Sequence, residues 1–318
     1  MTGKEKKKTK LNLRIKIADV IFKNPIWVAS GTFGYAEEFQ DFVELEQIGA
    51  IITKTITLNA RIGNLPPRIV ETPSGLLNSI GLENKGVRHF KKNYYPFLKK
   101  CKTRIIVSIA GADIDELKEC AGILCRDQAP DAIEVNLSCP NVTHKGAKHR
   151  LIAQDADATE KVINALRKTI TVPLIAKLSP NVTDISEIAV AAEAGGADAV
   201  SLVNTYLALA VDADTMKLIL GKGMGGLSGP AIKPMALRAV YDVYGKIKIP
   251  VIGIGGVMSG KDVAEFMLCG ANAVQIGTAN FTAPDIYEKI MREFKTYLSE
   301  KKINKAVSII GRLKGIKA

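Results

Sequence analysis

The feature that most constrains this chain is a recurrence of eight short β-rich runs, each ending in polar or glycine residues. The first four read "PIWVASG" (25–31), "GAIITKT" (49–55), "RIIVSIAG" (104–111) and "DAIEVNLSC" (131–139). The others are "VPLIAKLSP" (172–180), "DAVSLVNT" (198–205), "IPVIGIGG" (249–256) and "NAVQIGT" (272–278). Helical patterns such as "DELKECAGILCRDQ", "DATEKVINALRKTI", "DISEIAVAAEAGG", "PMALRAVYDVYGKI" and "GKDVAEFMLCG" fill most intervals. Near-continuous apolar strands alternating with helices specify a parallel sheet covered on both faces. Eight such units in 318 residues fit a single α/β (β/α)8 TIM barrel better than a doubly wound sheet. The grammar of "AGGADAVSL" and "CGANAVQIG" repeats between units, as a barrel of similar parts would require. The run 11–22 reads as an N-terminal hairpin closing the barrel floor. Segment 56–103, with its Pro and Gly punctuation, reads as a long functional loop insertion at the carboxyl-end face. Residues 1–10 read as a basic flexible tail and 11–318 as one barrel domain.

Composition narrows the class. No run of roughly 18 uncharged apolar residues appears, so neither a transmembrane helix nor a membrane partner is expected. The start "MTGKEKKKTK" is followed by a charge-interrupted alternating pattern rather than a signal-peptide core, which points to the cytoplasm. Net charge is +12, but Lys4, Lys6, Lys7, Lys8 and Lys10 sit in the tail. Lys301, Lys302, Lys305, Arg312, Lys314 and Lys317 cluster at the other end. Solvated termini explain the excess better than a nucleic-acid partner, since no aromatic-studded basic face accompanies them. The five cysteines, Cys101, Cys120, Cys125, Cys139 and Cys269, are scattered with no Cys-x-x-Cys spacing. That argues against a disulfide framework and against a metal or iron–sulfur site carried by this chain alone.

Barrels place their chemistry at the carboxyl ends of the strands. There the sequence offers amides, hydroxyls, lysines and glycines, and no His, Asp or Glu, which excludes most hydrolase designs. "GIGGV" (253–257) and "QIGT" (275–278) end the last two strands, where barrels frequently bind phosphate. "GGLSGPAIKP" (225–234) reads as a third glycine-rich loop, and together they suggest a larger phosphorylated cofactor. Lys54 and Lys177 are open to three readings: an ion pair with a carboxylate such as Glu134, a Schiff base, or charge stabilisation of a bound anion. Asn78, Asn136, Asn141 and Asn204 could each form turns, but together they would suit a flat, amide-rich ligand. Cys139 stands where a strand runs out, between amides and Pro140, and serves as a base only if its thiolate is accessible.

The motifs "ASGTFGY" (29–35), "TKT" (53–55), "NSIGLENKG" (78–86), "EVNLSCPN" (134–141) and "AKLSPN" (176–181) occur in this order. They continue with "LVNT" (202–205), "GGLSGPAIKPMALR" (225–238), "IGIGGV" (252–257) and "QIGTA" (275–279). In this the chain resembles the soluble, FMN-containing class 1 dihydroorotate dehydrogenases from about residue 11 to 300, most closely the NAD-linked (class 1B) catalytic subunits. The resemblance implies an FMN-binding catalytic domain that oxidises dihydroorotate to orotate in pyrimidine biosynthesis. FMN would contact Ser30, Lys54, Thr55, Ser108, Asn136, Lys177, Val203, Gly229, Gly255, Gly256, Gly277 and Thr278. Substrate would contact Lys54, Asn78, Ser79, Ile80, Gly81, Leu82, Asn136, Asn141, Asn204 and Thr205. Cys139 would take the C5 proton while a hydride leaves C6 for the flavin. The resemblance further implies a homodimer and a heterotetramer with an electron-transfer subunit carrying FAD and a [2Fe-2S] centre, with no metal on this chain. Two positions depart from the pattern. Ser108 stands where an asparagine contact to FMN is expected, and the loop "VTHKGAKHRLIAQD" (142–155) lacks the usual glycine- and phenylalanine-bearing cover. His144 and His149 in that loop are open to a surface role or one in lid closure or thiolate tuning. The rival readings are a fumarate-linked or related pyrimidine-reducing flavoprotein, a Schiff-base barrel lyase, and a non-catalytic flavin- or phosphate-binding barrel.

Overall fold

A computed structural model describes residues 11–138 and 152–314. The first strands are β1 (Ile15–Ile17), β2 (Val20–Phe22), β3 (Ile26–Val28), β4 (Ala50–Ile52), β5 (Ile69–Thr72) and β6 (Gly75–Asn78). Next come β7 (Arg104–Ile109), β8 (Ala132–Asn136), β9 (Leu174–Lys177), β10 (Ala199–Leu202) and β11 (Tyr206–Leu209). The last are β12 (Val211–Asp212), β13 (Lys217–Leu218), β14 (Met224–Ser228), β15 (Val251–Ile254) and β16 (Ala271–Ile276). Helices α1 (Val87–Asn93), α2 (Tyr95–Lys100), α3 (Ile114–Cys125) and α4 (Ala156–Arg167) lie in the first half. Helices α5 (Ile185–Ala194), α6 (Lys233–Tyr244), α7 (Gly260–Leu268) and α8 (Ile286–Glu300) follow.

Strands β3, β4, β7, β8, β9, β10, β15 and β16 close into one parallel barrel, the architecture expected from the eight runs. Period-2 alternation sorts their side chains into two cores. Ile26, Val28, Ile105, Val107, Ile133, Val135, Val274 and Ile276 pack outward with helix residues such as Leu117, Val162 and Phe266. Trp27, Ala50, Ile52, Ile106, Ala132, Ile175, Ala199, Ile252 and Ala273 form a second, inner cluster with Ile15, Ile17 and Phe22 of the hairpin. The hairpin β1–β2 therefore plugs the floor, with the Phe22 and Trp27 ring centroids 4.4 Å apart. Asp113, Asp155, Asp184 and Ser259 accept the first free N–H groups of α3, α4, α5 and α7, which fixes where each helix starts after its strand.

One step further along the alternation the inward positions turn polar: Lys54, Ser108, Glu134, Lys177, Ser201 and Gln275. This layer lies between the apolar plug and the carboxyl-end mouth. Above it, β11, β14, β6 and β5 pair antiparallel in a four-stranded sheet, and β12 pairs with β13.

Two expectations are corrected here. Segment 56–103 is not loop throughout: it carries a hairpin, β5–β6, and two helices, α1 and α2, between loop stretches. In "GGLSGPAIKP", Gly225 and Gly226 belong to strand β14, and only Gly229 is at a turn before α6. The reason is close approach: a Cβ on Gly226 would come within 2.0 Å of Thr205 Oγ1, and one on Gly225 within 2.7 Å of the Asn78 carbonyl. Those glycines let the sheet press against two site residues.

Among the described residues, no helix is long and apolar enough to cross a membrane. Lys301, Lys302, Lys305, Arg312 and Lys314 are exposed. The lysines of the tail 1–10 and Lys317 lie outside the described residues.

Candidate active site

A cavity of about 380 Å³ opens at the carboxyl ends of the barrel strands, in the size range of small-molecule sites. Its floor is the polar layer, and Ile69, Leu76, Asn78 and Ser228 of the four-stranded sheet form part of its wall.

One end is built of backbone. Gly229, Gly255, Gly256, Gly277 and Thr278 line it. Gly256 has φ +74°, and a Cβ there would meet the Gly229 carbonyl at 2.9 Å and Lys233 Cβ at 2.7 Å. Only glycine lets these two loops touch with their backbones turned to the cavity. Thr278 Oγ1 donates to Ser228 Oγ at 2.7 Å, which in turn donates to the Leu76 carbonyl at 3.2 Å. Behind the loops, Lys233 Nζ donates to Asp262 Oδ1 at 2.6 Å and Glu265 Oε2 at 2.9 Å. Burial works against the Lys233 ammonium, yet Asp262 and Glu265 together hold its pKa above the ordinary lysine value. Burial likewise opposes the Asp262 carboxylate, but Lys233 and the Met258 N–H hold its pKa below the usual range.

The other end is made of amides. Asn204 Nδ2 donates to Asn136 Oδ1 at 3.2 Å, and the Ser138 N–H donates to the same oxygen at 3.2 Å. Asn136 thus spends its acceptor on the protein and keeps its NH2 for a ligand. Asn204 Oδ1 is held by the Thr205 N–H at 2.8 Å, and Asn78 Nδ2 donates to the Gly226 carbonyl at 3.2 Å. Asn78 therefore turns an acceptor, and Asn136 a donor, toward bound molecules.

The floor joins the two ends. Ser30, Thr55 and Ser108 form a hydroxyl chain with spacings of 3.0 and 2.9 Å. Lys177, 7% exposed, lines the cavity with its Nζ 3.6 Å from Glu134 Oε1. The ion pair offered as one sequence reading of Lys177 is therefore present. Lys54 lines the cavity with no ion pair to any described residue.

Of the residues singled out in the sequence, the cavity gathers Ser30, Lys54, Thr55, Asn78, Ile80, Leu82, Asn136, Lys177, Val203, Asn204 and Thr205. Ser79 and Gly81 alternate with the lining residues. Ser79 Oγ accepts from Asn64 Nδ2 at 2.9 Å, away from the cavity. Ser108 is fully buried beneath Thr55 and does not line the cavity. Cys139, Asn141, His144 and His149 lie outside the described residues. Ser228, Met258 and Phe281 line the cavity and were missed. Ser228 had one usable signal, its place immediately before Gly229. The other cysteines do not compete for a role: burial pushes the Cys120 thiol far up, and Cys101, Cys125 and Cys269 up as well.

Fold and site together define a (β/α)8 barrel of the enzyme kind, with a glycine-edged, amide-lined cavity at the carboxyl ends of its strands. A family model described as dihydroorotate dehydrogenase matches residues 12–298. The chain is 47% identical over 302 residues to the catalytic subunit of dihydroorotate dehydrogenase B (NAD(+)) of Desulforamulus reducens, covering 95% of this chain and 98% of that one. The protein of the same description from Bacteroides fragilis is 47% identical, with 95% and 99% covered. That of Geobacter sulfurreducens is 48% identical over 306 residues, with 96% and 99% covered. This chain belongs to the dihydroorotate dehydrogenase family.

Proposed function

We propose that the chain is the catalytic subunit of an NAD-linked dihydroorotate dehydrogenase, oxidising (S)-dihydroorotate to orotate with FMN as the immediate acceptor in pyrimidine biosynthesis. The observation that carries the reading is the division of one cavity into a backbone-lined glycine end and an amide end, joined by a lysine-bearing floor. FMN fits that division: a phosphate suits the Gly255–Gly256 and Gly277–Thr278 loops, and its ring suits Ser30, Thr55 and Lys177. The Lys177 ammonium lines the cavity with Glu134 Oε1 at 3.6 Å as its ion-pair partner, and its other N–H groups can donate to a ligand's oxygens or nitrogens.

When bound, FMN supplies a two-electron acceptor. The chain's own residues supply the rest. Asn78, Asn136, Asn141, Asn204 and Thr205, with Lys54, Ile80 and Leu82, hold the flat pyrimidine by its amides and carboxylate. Cys139 is the base, its Sγ taking the C5 proton of dihydroorotate. A thiol, with an ordinary pKa of about 8.5, is matched to that task near neutral pH. Met258, Phe281 and Ile232 are apolar lining that limits water at the cavity.

The relatives' description as a catalytic subunit of an NAD(+) enzyme supports a partner subunit that carries electrons onward to NAD; FAD and a [2Fe-2S] centre on that partner are part of the proposal. An exposed apolar ribbon, Leu207, Leu209, Val211, Met216, Leu218 and Met224, exceeds scattered surface hydrophobics and supports assembly, including a homodimer. The purified chain is expected to carry one FMN and to lose its visible flavin absorption on anaerobic addition of dihydroorotate. A colourless chain that a carbonyl substrate and borohydride label at Lys177 would replace this reading by Schiff-base chemistry.

A further inference from the structure

Glu134 sits at the centre of the barrel, 0% exposed, and none of the roles above uses it. Its Oε2 accepts from Ser201 Oγ at 2.9 Å and from Gln275 Nε2 at 2.9 Å. Among the described residues its Oε1 is buried with no hydrogen-bond partner, as is Gln275 Oε1. The cation paired with Oε1 among the described residues is Lys177, its Nζ at 3.6 Å, inside ion-pair range and beyond a hydrogen bond.

Four strands converge on this arrangement: β8 carries Glu134, β9 Lys177, β10 Ser201 and β16 Gln275. Two of them clamp one carboxylate oxygen, so the other is aimed at the ammonium. Burying such a group is costly, and interiors often tolerate apolar residues in place of a buried ion pair at no loss of stability. Stability alone therefore does not account for a half-satisfied acid here. Position does. Lys177 lines the cavity floor, and Glu134 lies on its buried side.

We propose that Glu134 is a positioning residue: it holds the Lys177 ammonium at the cavity floor and offsets its charge, and so sets the reduction potential of the cofactor above it. The inference rests on the reading that the cavity holds FMN. A reduced flavin carries more negative charge than an oxidised one, so a cation at the floor favours the reduced form, and a carboxylate on its buried side draws that cation away from the cofactor. Glu134 and Lys177 are both buried, so solvent screens neither effect strongly.

The test is the midpoint potential of the bound FMN in the parent protein, Glu134→Gln, Lys177→Met and the double variant. Glu134→Gln keeps the shape and removes the charge. It is expected to raise the ratio of reduced- to oxidised-flavin affinity about tenfold, a rise of about 30 mV for a two-electron couple. In the Lys177→Met background the same change should have under a third of that effect on the ratio, since the residue acts through Lys177. Ser201→Ala is the milder variant should Glu134→Gln not fold. With one clamp gone, the carboxylate leans on Lys177 more strongly and the potential falls, opposite in sign to Glu134→Gln. General damage to the core would not produce opposite signs. A potential unchanged or lowered in Glu134→Gln, unchanged or raised in Ser201→Ala, or shifted equally with and without Lys177, overturns the proposal while leaving FMN binding intact. A parent protein without FMN overturns the functional reading itself, and this inference with it.

Discussion

Asn204 Nδ2 donates to Asn136 Oδ1 at 3.2 Å, tying the ends of β10 and β8 across the intervening β9. The bond spends an acceptor on the protein so that the Asn136 NH2 faces the cavity. Truncating Asn204 leaves Asn136 Oδ1 with the Ser138 N–H alone and removes a ligand contact at once. Asn204→Ala is expected to lower kcat/KM for dihydroorotate by roughly 10- to 100-fold, about 1.5–3 kcal/mol, with FMN content unchanged. Steady-state kinetics beside flavin quantitation checks it, and loss of FMN in this variant would place Asn204 at the cofactor instead.

Gly256 tests the glycine end. At φ +74° an alanine is strained, and its Cβ would press on Lys233 and the Gly229 carbonyl. A left-handed non-glycine residue costs roughly 1–2 kcal/mol before any clash. Gly256→Ala is therefore expected to weaken FMN binding about tenfold or more, read by equilibrium dialysis, while flavin reduction in the reloaded protein changes less.

Lys233 gives a pH signature. Its folded pKa is raised, so its contribution is complete below the ordinary lysine value of about 10.4 and disappears as pH rises through the folded value. The Asp262 pKa is lowered, so its contribution is complete above about 3.9 and disappears as pH falls through its folded value. Lys233→Met should cost on the order of 1–2 kcal/mol across the neutral range. Urea unfolding at several pH values should show the difference from the parent shrinking below about pH 4, where the Asp262 partner is lost. An equal difference at acid and neutral pH would contradict the pairing.

Cys139→Ser addresses the proton. A serine hydroxyl is a far weaker acid than a thiol, so the rate of flavin reduction near neutral pH should fall roughly 100- to 10,000-fold. FMN should be retained, and the residual rate should climb with pH beyond the parent's plateau. Stopped-flow reduction by dihydroorotate measures both, and an unchanged rate would remove the cysteine from the chemistry.

The barrel was legible because each central strand is a continuous apolar run stopped by glycine or a polar residue, signals confined to a few neighbours in sequence. "DAIEVNLSC" and "IPVIGIGG" show this, with β8 and β15 inside them. The sheet at the mouth was not legible. Leu227 pairs with Leu77 and with Tyr206, partners distant in sequence and brought together only by the closed barrel. The same distance hid why Gly226 is glycine, since Thr205, the residue it would strike, belongs to another strand connection. Ser228 and Phe281 entered the cavity by the same route. For Lys177, sequence offered three chemistries, the pairing with Glu134 among them, and only geometry showed that this pairing is made.

The most direct test of the central claim is a single turnover without oxygen: the purified, FMN-loaded chain mixed with dihydroorotate, with orotate and flavin absorption followed together. The proposed function requires one orotate formed per FMN reduced, without any partner subunit present. Flavin that stays oxidised while bound dihydroorotate is recovered unchanged would contradict it.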